Sequence, residues 1–442
     1  MPGSEGILYW DKEAETLPRE KILGLQWARL RERLRYVYER SPLYRRRLRE
    51  IGLDPSQVKG LEDFKRLVPM TTKEELRKER EETRDLFAGL LCVPRQEVAF
   101  LVRTAGTTGT PSVYGLTRGD VRMAGELTAR SLYQVGARRG HAMACATMGT
   151  WNYFAKDLVE GLRTAGITTY HFAMPVPEEE VFPIEILSRW MEIHGFYLSA
   201  RPLQQVTERY GERLRSLLPH LRYVLCAGQR LTRAFRRGME SLWGAPLYEA
   251  YPMTDVGMPC ATCTEQHDTF HFAEDWFLVE VLDRETGRDL TGSGQVGELV
   301  VTPLASEGTP ILRFRTEDLG YTITEPCPCG RTQMRLGVTE RTAHGVQVKG
   351  RVIFSHEVEE VLYALPELLF RPYHLVKKAE QPQERLIVRV ERPDHVRSGE
   401  DFRAGLAARL RDAIGVETEV ELISGQDERF VVGYKHLRVV EE

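Results

Sequence analysis

The sequence lacks any long uninterrupted hydrophobic run. A helix that crosses a bilayer needs roughly 18 or more consecutive apolar residues, so we expect no membrane-spanning helix and no membrane partner. The first residues also lack a basic segment followed by an apolar stretch, which a secretory signal would show. We therefore expect a soluble, cytoplasmic protein.

An excess of charge of one sign is also lacking. The 61 Lys and Arg residues nearly balance the 64 Asp and Glu residues, and the formal net charge is -3 at pH 7. Strong attraction to nucleic acid or to an anionic membrane needs a clear basic excess. We therefore expect no nucleic-acid partner.

Cysteine is scarce, with seven residues in a chain of 442. Four of them stand in two close pairs, Cys260 with Cys263 and Cys327 with Cys329. A disulfide framework is typical of short secreted chains with an even number of cysteines. The pairs therefore favour a metal site or free thiols, in keeping with a reducing compartment.

The length of the chain allows at least two domains with a substantial core. Residues from about 15 to 90 carry Leu, Arg and Glu at helical spacing and predict a helical opening. From about 95 to 335, short β-like runs alternate with helical patterns, and after Gly337 the pattern is βαββαβ-like. We predict an α/β fold with a large N-terminal domain of several subdomains, residues 1–336, and a smaller, mobile α+β C-terminal domain, residues 337–442.

A run of hydroxyl residues and glycines forms the most distinctive local pattern, Thr104-Ala105-Gly106-Thr107-Thr108-Gly109, followed by Thr110 and Pro111. Such a stretch leaves backbone N–H groups free to surround a phosphate chain. The apolar run 98–102 before it predicts a strand, which would place the loop where α/β sheets commonly hold nucleotides. The loop lacks both the Walker ending and the dinucleotide-binding spacing, and a flexible turn is the alternative interpretation.

Further segments resemble those of a known family: Leu8-Tyr9-Trp10-Asp11, Ser41-Pro42-Leu43-Tyr44-Arg45 and Met70-Thr71-Thr72-Lys73-Glu74. With the loop, which is similar to S-S-G-T-T-G-K-P-T, they resemble the phenylacetate–coenzyme A ligase branch of the adenylate-forming superfamily over nearly the whole chain. The resemblance implies an adenylate-forming N-terminal domain and an ATP- and Mg²⁺-dependent enzyme. Such an enzyme activates a carboxylic acid, here an aromatic one like phenylacetate, as acyl-AMP and transfers it to coenzyme A. It also implies a homodimer.

The same resemblance assigns roles to residues of five further segments. Tyr251-Pro252-Met253-Thr254-Asp255 is similar to Y-G-x-[ST]-E, whose acid helps to hold magnesium, and an ordinary turn is the alternative. Asp318 matches the aspartate that binds the ribose hydroxyls, and the alternative interpretation is an Arg/Asp ion pair at the surface. Lys435 matches the mobile ammonium between the substrate carboxylate and the α-phosphate. The remaining nucleotide-site residues are Ala227, Gly228, Gln229 and Arg341.

A zinc site is implied by the same family. Some members bind zinc through a Cys, a His and a C-x-C pair, which gives Cys263, His271, Cys327 and Cys329 here. Cys260 in place of His271 would give four thiolates, and reduced cysteines without metal are the third interpretation. We expect such a zinc to be structural.

Several residues depart from the family pattern. Thr110 stands where a Lys is usual, Ala105 replaces a Ser, Pro252 a Gly and Asp255 a Glu, and Ala343-His344 lacks the hinge acids. These changes leave two alternatives open. One is an adenylate-forming enzyme with an acceptor other than coenzyme A, and the other is a nucleotide- or acyl-binding homologue without catalysis.

Overall fold

The protein was analysed as a computed structural model, which describes residues 9–103, 112–146, 153–172, 183–228, 230–253, 255–341, 345–380, 382–393, 399–424 and 438–442. Two compact units divide the chain. The first unit comprises Met1–Tyr197, His220–Ala227 and Tyr248–Val338, and the second comprises Leu198–Pro219, Gly228–Leu247 and Thr339–Glu442. The second unit therefore takes two segments from the middle of the chain in addition to its C-terminal part.

The α-helices are α1 (Lys12–Glu15), α2 (Arg19–Arg40), α3 (Pro42–Glu50), α4 (Leu61–Leu67), α5 (Lys73–Thr83), α6 (Arg118–Gln134), α7 (Tyr153–Ala165), α8 (Pro183–Trp190), α9 (Ala200–Tyr210), α10 (Arg213–Leu217), α11 (Arg233–Trp243), α12 (Ser355–Tyr363) and α13 (Gly399–Ile414). In the described ranges, none of them is long and apolar enough to span a bilayer.

The strands are β1 (Phe100–Arg103), β2 (Val113–Leu116), β3 (Ala142–Ala146), β4 (Thr168–Phe172), β5 (Gly195–Ser199), β6 (Tyr223–Ala227), β7 (Leu247–Ala250), β8 (Cys260–Cys263), β9 (Gln266–Phe272), β10 (Phe277–Leu282), β11 (Gly297–Pro303), β12 (Phe314–Ile323), β13 (Arg335–Arg341), β14 (Gly345–Val348), β15 (Arg351–Phe354), β16 (Tyr373–Lys377), β17 (Leu386–Glu391), β18 (Thr418–Ile423) and β19 (Val439–Glu441). Together with the helices they confirm a mixed α/β fold.

An 11-stranded sheet organises the first unit, in the order β10-β11-β12-β13-β9-β8-β7-β6-β5-β3-β4. β3 pairs in parallel with β4 and β5, whereas β10, β11 and β12 pair antiparallel. Strand β3, Ala-Met-Ala-Cys-Ala, is buried along its whole length, as expected for a parallel strand covered on both faces. The sheet is therefore mixed, with a parallel region at one edge.

Helices α1 to α5 precede this sheet in the chain. One face of α2 is buried at spacings of three and four residues, through Ile22, Gln26, Leu30, Leu34 and Val37. This period is that of an amphipathic helix packed on a core. Helix α5 begins with a capping box, in which Thr72 and Glu75 exchange side-chain and backbone hydrogen bonds.

Strands β1 and β2 form a separate two-stranded hairpin. The sequence predicted a strand at 98–102 within the main α/β sheet, but the strand is Phe100–Arg103 and its partner is β2 alone. In β1 only Val102 is buried, so the strand offers too little apolar surface for a place inside a covered sheet. The predicted phosphate loop therefore joins the two strands of a hairpin.

The C-terminal part of the second unit has a four-stranded sheet in the order β18-β17-β16-β19 and a hairpin of β14 with β15. The βαββαβ pattern predicted from sequence corresponds to β14, α12, β16, β17, α13 and β18. The short strands β15 and β19 were missed. β19, with three residues, owes its place to parallel pairing with β16, a long-range contact that local pattern does not reveal.

Candidate active site

Asp255 lies in the turn between β7 and β8. The Tyr251 N–H donates to the Cys260 carbonyl at 2.9 Å, and the Met253 N–H donates to the Met258 carbonyl at 2.9 Å. These bonds close a hairpin whose tip carries Asp255. Thr254, its predicted partner in the magnesium site, lies outside the described residues.

Two side chains distant in sequence hold the Asp255 carboxylate. The Tyr114 hydroxyl donates to Asp255 Oδ1 at 2.7 Å, and Lys73 Nζ lies 3.5 Å from Oδ2. Burial raises the pKa of Tyr114 well above its ordinary value, and the adjacent carboxylate raises it further, so the phenol remains a donor. The Asp255 side chain is 10% exposed, and it is therefore oriented without being sealed off.

Tyr114 links this acid to the predicted phosphate loop. It belongs to β2, which resumes the chain directly after the loop, and it is 1% exposed. The loop residues Thr104 to Gly109 themselves lie outside the described ranges. The structure thus brings Asp255, the acid predicted to hold magnesium, next to the strand that follows the loop in the chain.

Asp318 lies at an irregular point of strand β12. Glu298 of β11 pairs with Leu319 and Val300 pairs with Arg315, so β12 has extra residues between these pairs. Glu317, inside this bulge, has a φ of 65°, a conformation that is strained for a non-glycine residue. Bulges of this kind redirect a side chain and often occur beside active sites.

The Asp318 carboxylate is held by the segment 251–255, which was predicted to hold magnesium. The Tyr251 hydroxyl donates to Asp318 Oδ2, and the Asp318 N–H donates to Thr316 Oγ1 at 3.1 Å. The tyrosine ring also packs against Phe270, with ring centroids 5.7 Å apart. Two segments that the sequence analysis assigned to magnesium and ribose are therefore in direct contact.

The other nucleotide-site residues are placed only in part. Ala227 is the buried last residue of β6, and Gly228 follows it with a φ of 98°, which glycine adopts without strain. Gln229 and Lys435 lie outside the described residues, and Arg341 is described only as the end of β13. Their assigned roles therefore remain predictions.

A second cluster consists of the four predicted zinc ligands. The ligand atoms of Cys263, His271, Cys327 and Cys329 all lie within 4.8 Å of one another, and all four residues are buried. Cys263 Sγ is 3.7 Å from Cys327 Sγ, and Cys329 Sγ is 3.5 Å from His271 Nε2. The β8–β9 hairpin supplies Cys263 and His271, and the segment between β12 and β13 supplies the other two.

These distances suit a tetrahedral metal. Zinc bonds of about 2.3 Å to sulfur and about 2.0 Å to nitrogen place neighbouring ligand atoms roughly 3.5–3.8 Å apart. Burial lowers the pKa of His271, which favours the neutral imidazole that a metal needs. Hydrogen bonds from the Cys263 and Cys327 thiols lower the pKa of Cys329, which favours its thiolate. The donor set therefore fits zinc.

The four-thiolate alternative finds no support. Cys260 is buried in the main apolar core of the first unit, among residues such as Phe272, and is not among the clustered ligands. All seven cysteines lie in the described ranges, and none of them forms a disulfide bond there.

Residues from the start of the chain surround the cysteine segment. The Tyr9 hydroxyl donates to the Cys329 carbonyl at 3.2 Å. The buried Arg331 donates from Nε to Glu15 Oε2 at 2.6 Å, and its guanidinium lies 5.0 Å from the centre of the Tyr9 ring. These contacts therefore join the N-terminal segment to the β12–β13 connection.

The sequence analysis did not assign Tyr114 or Lys73 to the site. Lys73 was quoted only as part of a family-like segment, and Tyr114 was not singled out. No spacing rule could have identified them, since Tyr114 stands 141 residues from the acid it holds. The position of Tyr114 on the strand after a suspected phosphate loop was the one available signal.

Within one unit, Asp255 and Asp318 are each held by a tyrosine hydroxyl, that of Tyr114 and that of Tyr251. Comparison with solved structures places the chain among adenylate-forming ligases. The chain superimposes on a crystal structure of 2-hydroxyisobutyryl-CoA ligase in the postadenylation state in complex with R3-HIB-AMP, with a TM-score of 0.84, 25% identity and coverage of 100% of this chain and 94% of that one.

Comparison with curated proteins narrows the class. The chain is 33% identical over 440 residues to phenylacetate–coenzyme A ligase of Thermus thermophilus, covering 94% of this chain and 95% of that protein. It is 28% identical to the ligase of the same name from Pseudomonas putida, covering 92% and 91%. No protein-family model matches the chain. The chain belongs to the phenylacetate–coenzyme A ligase family.

Proposed function

We infer that the protein is an ATP-dependent, AMP-forming acid–coenzyme A ligase. In the first step a carboxylate oxygen of the acid attacks the α-phosphorus of ATP, the bond to the β-phosphate breaks, and pyrophosphate leaves. In the second step the thiol of coenzyme A attacks the acyl carbon, gives up its proton, and AMP leaves. Full-length similarity to phenylacetate–coenzyme A ligases supports this reaction.

The observation that carries the proposal is the contact between the two acid-bearing segments. Tyr251, from the segment of Asp255, donates to Asp318, and Tyr114 donates to Asp255, so both acids are oriented before any nucleotide binds. Preoriented groups avoid reorganisation when charge develops during the reaction.

Each acid is proposed to bind one part of Mg·ATP. Asp255 offers carboxylate oxygens, which are the ligands that Mg²⁺ prefers, and when bound the ion screens the phosphate charge. Asp318 accepts hydrogen bonds from the ribose hydroxyls, as carboxylates do in other nucleotide folds. The loop 104–109 surrounds the phosphates through backbone N–H groups, and Lys435 supplies positive charge between acid and α-phosphate.

The cysteine and histidine cluster is proposed to hold a structural zinc. All four ligands are protein side chains and all are buried, which describes a closed site without a position for substrate. Its contribution is then to stability, by joining the β8–β9 hairpin to the segment before β13. It takes no part in the ligation.

The acid is proposed to be aromatic, of the phenylacetate or benzoate kind. The support is the name shared by the curated relatives. The sequence segment 148–154, Met-Gly-Thr-Trp-Asn-Tyr-Phe, offers aromatic side chains for such a pocket, but no side chain in it is described.

A panel of acids tests the function. Purified protein is incubated with Mg·ATP and each acid, with and without coenzyme A, and pyrophosphate, AMP and thioester are quantified together. We expect acid-dependent pyrophosphate in every active reaction, and equal amounts of AMP and thioester once coenzyme A is present. Aromatic acids should react faster than short aliphatic ones.

The alternatives predict other outcomes of the same panel. Pyrophosphate without thioester would indicate an acceptor other than coenzyme A, and nucleotide binding without pyrophosphate would indicate a homologue that does not catalyse. The homodimer implied by the family stays a prediction, which size-exclusion chromatography with light scattering would check.

A further inference from the structure

The predicted phosphate loop carries no positive charge. Residues 104–111, Thr-Ala-Gly-Thr-Thr-Gly-Thr-Pro, include neither Lys nor Arg. Backbone N–H groups can surround a polyphosphate, but a charge-assisted hydrogen bond is roughly twice as strong as a neutral one. A loop of this composition therefore calls for a cation from elsewhere in the fold.

Lys73 places a cation beside Asp255. Its ammonium lies 3.5 Å from Asp255 Oδ2, the acid proposed to hold magnesium, while Tyr114 holds the other oxygen of the same carboxylate. Asp255 would hold a magnesium ion through its carboxylate, and the phosphate ligands of that ion would then come close to this ammonium. The side chain of Lys73 is 25% exposed, so it is reachable by a ligand.

Backbone hydrogen bonds fix the position of the segment that precedes Lys73. The Thr71 N–H donates to the Arg313 carbonyl and the Arg315 N–H donates to the Thr71 carbonyl, both at 2.9 Å. This bridge joins the segment before α5 to strand β12, which also carries Asp318. Lys73 Nζ lies 5.9 Å from the ring centre of Phe314, at the start of the same strand.

The position is unfavourable for a lysine on structural grounds alone. Lys73 is the first residue of α5, and a cation at a helix N-terminus opposes the helix dipole. The first turn otherwise carries the acids Glu74 and Glu75, which the dipole favours. In the free protein, the ion pair with Asp255 offsets the dipole.

We propose that Lys73 binds the polyphosphate of ATP and supplies the positive charge that the loop 104–111 lacks. With Asp255 engaged by magnesium, Lys73 would exchange its carboxylate partner for phosphate oxygens, while Tyr114, a neutral donor, would stay on the acid. The proposal rests on the proposed function, because it uses the same nucleotide site.

The test measures binding without turnover. Calorimetry without any acid substrate gives the affinities for ATP and for AMP, each with and without Mg²⁺, for the wild type and Lys73→Met. We expect Lys73→Met to weaken ATP binding by about tenfold to a hundredfold, the range for one charge-assisted hydrogen bond. AMP, which lacks the β- and γ-phosphates, should bind within about twofold of wild type, while Lys73→Arg should retain much of the ATP affinity.

Two further variants make the result specific. Lys78→Met removes a lysine from the same helix whose side chain is 74% exposed, and it should leave ATP affinity unchanged. Thr110→Lys returns a cation to the loop, and it should restore ATP affinity in the Lys73→Met background far more than it raises affinity in the wild type. Such non-additivity is the sign of two groups that serve one contact.

Several outcomes would overturn the proposal. Equal losses for ATP and AMP would mean that Lys73 only maintains the site. A loss that disappears when Mg²⁺ is absent would mean that it acts only through Asp255, and no rescue by Thr110→Lys would place the missing contact away from the polyphosphate. Wild-type protein that binds ATP but never forms acyl-AMP would contradict the proposed function. The role of Lys73 could still be judged in that case, because its test measures nucleotide affinity and not turnover.

Discussion

The cysteine–histidine cluster and the two acids Asp255 and Asp318 lie in the same unit but differ in how complete their surroundings are. In the cluster, four buried ligand atoms converge within 4.8 Å, and each has its partners inside the cluster. In the nucleotide site, Asp255 and Asp318 are oriented by Tyr114 and Tyr251, on segments that also approach solvent. The cluster is therefore complete without a substrate, whereas the two acids are proposed to bind one.

This difference matches the roles proposed for the two regions. A structural metal site contributes to stability only when protein side chains fill every position around the ion. A catalytic site must instead leave room for the reacting groups and use its binding energy in the transition state. The comparison predicts that changes in the cluster lower stability more than rate, and that changes in the nucleotide site do the reverse.

The largest effect on rate is expected from Lys435→Ala. Its ammonium is proposed to stabilise charge that develops only as the acid attacks ATP, so acyl-AMP formation should fall by roughly a hundredfold or more while ATP affinity changes little. Pyrophosphate release in single turnover, beside ATP binding, measures both. Lys377→Ala, which removes an ion pair with Glu441, is the control. Unchanged turnover in Lys435→Ala would remove this residue from the mechanism.

The largest effect on stability is expected from the cluster. Metal analysis should find about one zinc per chain, and Cys329→Ser should lose the metal and melt at a markedly lower temperature. The rate per folded molecule should change little. Cys260→Ala, outside the cluster, should keep its zinc. Wild-type protein that contains no zinc and melts normally would contradict this half of the comparison.

Asp255 should show an intermediate effect that is specific to magnesium. Asp255→Asn removes the charge and should raise the Mg²⁺ concentration needed for half-maximal adenylation about tenfold, with little change in melting temperature. Asp255→Glu keeps a carboxylate and should preserve activity. If neither variant alters the magnesium dependence, the Tyr251 to Asp255 segment is a structural turn.

The smallest effect is expected from Tyr251→Phe. This change removes the hydroxyl that donates to Asp318 and keeps the ring against Phe270. A hydrogen bond to a charged group corresponds to about 1.5–3 kcal/mol when it is lost completely, but water can partly replace the donor at the half-buried Tyr251, so the KM for ATP should rise by only about threefold to fivefold. A change in kcat with an unchanged KM would show that Asp318 acts outside the ribose site.

The alternation of β-like and helical patterns was enough to predict the class of fold. The four clustered residues were predicted from the resemblance to the family, whose motifs around His271 and the C-x-C pair can be matched without knowing what surrounds them. Partners brought together by distant pairing could not be predicted, among them Tyr114 and Lys73 at Asp255. The placement of β1 failed for the same reason, because a strand's neighbours depend on contacts that its own residues do not record.

Oxygen transfer from the acid to AMP tests the central claim most directly. The acid is labelled with ¹⁸O in its carboxylate and incubated with Mg·ATP and coenzyme A, and the AMP is examined by mass spectrometry. Attack of the carboxylate on the α-phosphorus, followed by thiol attack on the acyl carbon, leaves one carboxylate oxygen on AMP. We predict one ¹⁸O in each AMP formed and none in pyrophosphate. Unlabelled AMP, or label found in inorganic phosphate beside ADP, would contradict the adenylate mechanism.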